Sequence, residues 1–221
     1  KVVPSHPPAQ IEAGLAPLLG AGAWVVVVDN ASTDETRELV AARFPEVRLI
    51  ANPDNRGFAR AVNQGLAASD ADVVLLVNPD CVVPPETVRA LVDQLLLEPD
   101  IGVVAPRLRG ANGAIAVSVH PFENLASIVA SRFGGSLLPV GVRRLLARDR
   151  RRDAYAACLG DDGRPVDVDW ASGACLAVRG SLLRRLGGLD EGYFMYYEDE
   201  ELCLQAWKAG ARVVYLPAVE A

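Results

Sequence analysis

Apolar runs of four or five residues recur along the first half of the chain, each closed by a polar cluster. Val25-Val26-Val27-Val28 is a continuous β-branched run, the pattern of a strand buried on both faces. It ends in Asp29-Asn30-Ala31-Ser32-Thr33-Asp34, where Ser32 or Thr33 can cap a helix carrying Leu39 and Val40. Val47-Arg48-Leu49-Ile50 predicts a second strand, and residues 57–68 a helix after the polar loop Asn52 to Arg56. Val73-Val74-Leu75-Leu76-Val77 predicts a third strand, closed by Asn78-Pro79-Asp80. Pro84-Pro85-Glu86 opens a helix that runs to Leu97, because proline is accepted in a first helical turn. Ile101-Gly102-Val103-Val104 is a further strand, and Lys1-Val2-Val3 reads as the inside of an earlier one.

Strand, loop and helix in repetition predict an α/β fold with a mainly parallel central sheet and helices on both faces. Such sheets bind ligands at the carboxyl ends of their strands, where Asp29-Asn30 and Asn78-Pro79-Asp80 both fall. The second half is less regular. Residues 107–119 read as loops and a hairpin, 166–178 as one extended segment, 181–186 as a short helix and 198–209 as a longer one. A last strand covers Val213 to Leu216. Without a repeat or a low-complexity linker, residues 1–221 read as one domain in two halves, about 1–105 and 106–221.

Composition narrows the ligand. The chain has 221 residues, 51% hydrophobic, with a formal net charge of -6. An acidic balance excludes a general nucleic-acid binder, which needs a basic footprint. An anionic ligand must then be held by a metal, by backbone N–H groups or by a local basic patch. Cys81, Cys158, Cys175 and Cys203 are widely spaced, which fits reduced thiols in a cytoplasmic protein. No signal peptide is visible, and no apolar run reaches the roughly 20 residues that span a bilayer. Six arginines crowd into Arg143 to Arg152 beside leucine pairs. They read as a solvated loop or as a peripheral contact with anionic lipid at the inner face of the plasma membrane.

Four clusters carry chemistry. Asp80 can join a magnesium or manganese shell that a diphosphate completes, or it can be a turn residue. Asp29 can accept hydrogen bonds from a base or ribose. Gly57 and Ala59 let a ligand approach a helix N-terminus, with Asn63 on the same face. Glu198-Asp199-Glu200-Glu201 either begins a helix at its favourable end or supplies a general base, with Phe194, Tyr196 and Tyr197 just before it. His120 reads as a surface or strand-end histidine.

In their order and spacing these clusters, together with Trp170-Ala171-Ser172-Gly173-Ala174, resemble the family 2 glycosyltransferases of GT-A fold, closest to rhamnosyltransferase-like members. The resemblance covers nearly the whole chain. It implies an inverting transfer of a sugar from a dTDP- or UDP-linked donor to a glycan or lipid-linked acceptor of the cell envelope. Asp199 would be the base, and Asp80 would hold Mg2+ or Mn2+, with Asn78 in place of the motif's first acid. Ser5, His6, Asp29, Asn30, Gly57, Ala59, Asn63 and Asn78 would line the donor nucleotide. Trp170, Ser172, Gly173 and Glu198 would meet the acceptor. The first half would then be the donor side and the second the acceptor side.

Two departures stand out. Pro4-Ser5-His6-Pro7 lacks the asparagine usual after the family's first strand, and the histidine expected after the last strand would fall beyond Ala221. Two other readings are a nucleotide-sugar-binding remnant without activity and a nucleotidyltransferase of related fold. The second usually shows a Gly-rich first loop with a lysine, which is missing here.

Overall fold

The computed structural model describes residues 8–122 and 163–221. The strand expected at Lys1–Val3, the donor residues Ser5 and His6, Cys158 and the Arg143–Arg152 run lie outside the described residues. In chain order the elements are α1 (Pro8–Gly20), β1 (Val26–Asn30), α2 (Thr36–Arg43), β2 (Arg48–Asn52), α3 (Phe58–Ala67), β3 (Val73–Val77) and α4 (Pro85–Leu97). There follow β4 (Ile101–Arg109), β5 (Ile115–Ala116), β6 (Val119–His120), β7 (Val166–Asp167), β8 (Trp170–Ala171) and β9 (Cys175–Arg179). The chain closes with α5 (Gly180–Leu186), α6 (Glu198–Lys208) and β10 (Arg212–Glu220).

The main sheet runs β3-β9-β4-β10-β7, with β5 on the edge of β4. β4 and β10 are parallel, whereas β9 lies antiparallel between β3 and β4. β3, β4 and β10 therefore share one direction, and β9 is the reversed strand among them. β1 and β2 form a parallel pair, and β6 and β8 an antiparallel one. The extended segment expected over 166–178 is broken into β7, β8 and β9, because each piece finds a different partner.

Helices cover both faces, as the alternation of apolar runs requires. Successive strand residues point to opposite sides. Val103, Ala105, Leu176, Val178, Val213 and Tyr215 pack with Ala59 of α3, Leu182 and Leu183 of α5, and Leu202 and Ala206 of α6. Val104, Cys175, Ala177, Val214 and Leu216 pack with Ile11 and Leu15 of α1, Val40 of α2, and Leu91 and Leu95 of α4. Arg179 closes α4: its guanidinium donates to the carbonyls of Leu95, Glu98 and Ile101, which favours the negative end of the helix. Trp207 fixes α6 in turn, its indole N–H donating to the Val168 and Asp169 carbonyls at 3.1 and 3.0 Å.

Candidate active site

Reversal of β9 builds the site. Its first residue, Cys175, pairs with the last residue of β3, Val77, so residues 170–174 arrive at the carboxyl end of β3. There the Asn78 N–H donates to the Ala174 carbonyl at 2.9 Å. One residue earlier, the Gly173 N–H donates to Asp199 Oδ2 at 2.9 Å. Two residues, Gly173 and Ala174, thus tie the turn carrying Asp80 to the first turn of α6. A Cβ on residue 173 would lie 3.3 Å from Asp199 Cβ, so glycine keeps this approach close. Asp199 Oδ1 takes the Glu200 N–H at 2.9 Å. Both oxygens of a half-buried carboxylate are therefore oriented by backbone donors, while Asp80 itself stands exposed.

A second tie joins α3 to the loop before α6. The Phe58 N–H donates to the Phe194 carbonyl at 3.1 Å. Gly57 has φ 83°, and a Cβ there would sit 2.7 Å from that same carbonyl oxygen. Gly57→Ala should cost about 1–3 kcal/mol from backbone strain and contact. Thermal melting checks this, at about 2–4 °C per kcal/mol for this chain length.

After Phe194 the chain is strained. Tyr196 and Tyr197 both hold left-handed backbones, φ 71° and 70°, a conformation that disfavours bulky side chains. Their rings are 64% and 67% exposed. Across the opening, His120 of β6 stacks on Trp170 of β8 with ring centroids 4.5 Å apart. Burial lowers the His120 pKa, and the Asp199 charge opposes that shift.

The geometry has counterparts among known proteins. Residues 23–129 match the model of the family described as Glycosyl transferase family 2. The chain is 34% identical over 207 residues to the N-acetylglucosaminyl-diphospho-decaprenol L-rhamnosyltransferase of Mycobacterium tuberculosis, covering 89% of this chain and 64% of that protein. The chain is thus similar to glycosyl transferase family 2 over the residues that its model matches. It is also 26% identical to the low-salt glycan biosynthesis hexosyltransferase Agl10 of Haloferax volcanii, over 89% of this chain and 57% of that one. Among solved structures, the fold is shared with the mannosyltransferase PcManGT of Pyrobaculum calidifontis in complex with GDP-Man and Mn2+. That likeness has a TM-score of 0.64 and 22% identity, over 96% of this chain and 52% of that chain. TarS 1–349 of S. aureus in complex with UDP shares the fold at a TM-score of 0.59 and 17% identity, over 96% of this chain and 57% of that chain. These GT-A neighbours match the fold class expected above.

Several of the expected residues are turned to other partners within the chain. Ala59 is fully buried, on the face of α3 that packs into the core, and offers no surface to a ligand. Asn63 is a strut: its amide donates to the Leu189 carbonyl at 2.9 Å, and its oxygen accepts the Leu189 N–H at 2.9 Å. A further bond runs to Glu191 at 3.1 Å. Asp29 is enclosed, its carboxylate paired with Arg37 and taking the Ser32 N–H at 3.3 Å. The expected cap of α2 also moves: Asp34, not Ser32 or Thr33, accepts the Thr36 N–H at 3.1 Å.

Asn30 heads an amide chain that sequence reasoning missed. It donates to the Gly57 carbonyl at 3.0 Å and accepts from Asn52 at 2.8 Å, and Asn52 and Gln64 exchange bonds at 2.8 and 2.9 Å. The register Asn30↔Asn52 aligns the two strand ends, and the one signal available was an asparagine closing each run. Arg37 was also missed; it bridges Asp29 and the Asn52 carbonyl. An open hollow of about 580 Å3 beside these residues is lined by Thr33, Asp34, Glu35 and Glu38. Its three carboxylates make it a poor seat for a diphosphate.

The two first residues of α6 differ sharply. Glu198 is 9% exposed, and its Oε2 has no hydrogen-bond partner. Burial, with the Asp199 charge beside it, raises its pKa above the ordinary 4.5. The folded state thus binds this proton more tightly than the unfolded state. The associated stability is fully present below the ordinary value and is lost as pH rises through the raised one. The melting temperature of Glu198→Gln relative to the parent chain should therefore climb as pH rises above the ordinary value of 4.5.

Among the described residues no three His, Cys, Asp or Glu side chains converge on one point. The exposed strand-end carboxylate of Asp80 therefore lies outside any such cluster. That suits a divalent cation completing its shell with substrate phosphates and water, as magnesium commonly does. No helix among the described residues is long and apolar enough to cross a membrane.

Proposed function

We propose that this chain carries an inverting glycosyl transfer from a dTDP- or UDP-linked sugar, rhamnose foremost, to a hydroxyl of a glycan or lipid-linked acceptor. The observation that supports it is the bridge Asn78–Ala174–Gly173–Asp199, which ties the turn carrying Asp80 to the first turn of α6, where Asp199 stands. The rhamnosyltransferase named above supports the choice of sugar and of a diphospho-lipid acceptor. The chain spans 64% of that relative's length, so these assignments remain proposals for the whole protein. An action at the cytoplasmic face of the membrane follows from such an acceptor.

The roles follow from position. Asp29, Asn30 and Gly57 form the floor and wall of the nucleotide side, and Asn78 holds the turn in place. Trp170, Ser172 and Gly173 shape the acceptor side, with Tyr196 and Tyr197 offering faces on which sugar rings can lie. Asp199 takes the proton of the acceptor hydroxyl. That oxygen then bonds to the anomeric carbon, whose bond to the diphosphate breaks with its electron pair leaving on the nucleoside diphosphate. Attack from the face opposite the leaving group inverts the centre. A divalent cation at Asp80, when bound, supplies positive charge against the departing diphosphate.

Calorimetry with UDP and with dTDP, each with and without Mn2+, tests the donor side. Binding of at least one, strengthened by Mn2+, is expected. If no nucleoside diphosphate binds, the reading fails. Binding without transfer to any acceptor in a screen of nucleotide-sugars would instead mark a nucleotide-sugar-binding remnant.

A further inference from the structure

The turn that carries Asp80 also carries a thiol. Cys81 follows Asp80 directly, and its N–H donates to the Asn78 carbonyl at 3.0 Å. That bond folds the chain back toward the end of β3. Val77, the last residue of β3, is paired with Cys175, the first of β9. Cys81 thereby packs against the buried cluster that contains Cys175. The two side chains are hydrogen-bonding neighbours, and for each thiol the other is the largest influence on its proton. On its other side the turn is covered by α1. A Cβ on Gly14 would lie 3.4 Å from the Cys81 carbonyl oxygen and 3.7 Å from that of Pro79.

The two sulfurs are unequal. Cys81 is half-buried between the exposed Asp80 and Val82, whereas Cys175 is 1% exposed. One reachable thiol beside one enclosed thiol is the arrangement in which an oxidised sulfur is captured by its neighbour. Cys203 stands apart from them: it is fully buried on α6, and burial pushes its thiol up to about 12, as in an inert structural cysteine. All three described cysteines are free thiols, and the transfer reaction uses no sulfur.

We propose that Cys81 and Cys175 form an oxidation site, which a peroxide closes into a disulfide and a dithiol reopens. Cys81 reacts first. Its sulfur loses its proton and bonds to one peroxide oxygen, the O–O bond breaks and water leaves, giving a sulfenic acid. The Cys175 sulfur then bonds to the Cys81 sulfur, the S–O bond breaks, and a second water carries off the Cys175 proton. Two thiols are oxidised, and one peroxide is reduced to two waters. A covalent bond holds two sulfurs closer than a thiol contact does, so closure draws the Asp80 turn toward β9. Closure thereby also weakens cation-dependent donor binding, a consequence that rests on Asp80 being the seat of the cation.

The full chain carrying Cys158→Ser, which removes the cysteine outside the described residues, is treated with hydrogen peroxide well below its melting temperature. Its mass should fall by two hydrogens, and digestion without reductant should join the peptides that hold Cys81 and Cys175. Dithiothreitol should reverse both changes. The melting temperature of the closed form should rise by roughly 4–16 °C, because the bond constrains a loop of about a hundred residues in the unfolded chain. Amide exchange across residues 78–82 should slow. Cys81→Ser and Cys175→Ser should each lose the cross-link and the rise, and in Cys175→Ser the Cys81 sulfur should gain oxygen instead. A cross-link that maps elsewhere, oxygen gained at Cys81 while Cys175 is present, or a melting temperature that does not rise would each overturn the pair. With UDP or dTDP and Mn2+, calorimetry should show the closed form binding about tenfold more weakly than the reduced form, the scale on which misplaced partners of a metal site act. Equal affinities would overturn the link to Asp80. If neither form binds a nucleoside diphosphate, the donor reading fails by itself, and the mass, exchange and melting results still decide the pair.

Discussion

Asp199→Asn should lower kcat by roughly 10²–10⁴-fold, the usual contribution of a positioned general base. The substitution keeps size and shape but removes the basic oxygen. Its amide can still accept the Gly173 N–H or the Glu200 N–H, though not both, since only one oxygen remains where two now accept. A modest fall in melting temperature should accompany the loss, and it sets the structural part of the effect apart. Donor affinity should be retained, because Asp199 lies on α6 while the proposed nucleotide wall is built from β1, β2 and α3. Steady-state kinetics with calorimetry of UDP or dTDP separates these quantities. Transfer at the parent rate would remove Asp199 from the base role.

Asp80→Ala should erase the part of donor affinity that Mn2+ confers and lower kcat/KM by roughly 10²-fold or more, since a bound cation stabilises developing phosphate charge by several kcal/mol. Asp80 is exposed at a turn, and surface substitutions usually shift stability by about 0.5 kcal/mol or less. The folded chain should therefore survive. Titrating the nucleoside diphosphate with and without Mn2+ gives the result directly: the two curves should differ for the parent chain and coincide for Asp80→Ala. Curves that still differ in the variant would show that the cation has another seat. With Asn78 in place of a second acid, the cation should bind the free chain weakly and the donor complex better.

The strands were legible because burial on both faces leaves an unbroken apolar run. Residues 73–77 are β3 as read, and 85–97 are α4 once Pro85 is taken as its first turn. α1 was not legible. Its apolar contacts are Ile11, Leu15 and Leu18, while Pro17 stands inside the helix and small residues dilute the pattern. Reversal of β9 could not be read either, since an apolar run carries no sign of its direction. For the site, local motifs marked Asp29, Asp80 and Asp199, but the sequence could not say which polar groups would turn inward. Asn63 looked like a ligand residue because its helix position is right; the loop at Leu189, 126 positions away, takes up its amide. Glu198 and Asp199 are adjacent letters of one acidic run, and only packing separates a buried acid from an oriented carboxylate.

Insertion of β9 also sets the order in which the molecule can be made. β3 is complete at Val77 and β4 at Arg109, yet apart from the short β5 their neighbours among the described residues are β9 and β10, from residues 175–179 and 212–220. As the chain emerges from a ribosome, β1 can pair with β2 at once, but among the described residues β3 finds its hydrogen-bonded neighbour only about a hundred residues later. Closing loops of that length before they are rewarded by pairing slows folding and leaves strand edges open meanwhile. Separate expression of the two halves should therefore leave the edges of β3 and β4 open, and those edges are where a nascent chain most needs a chaperone.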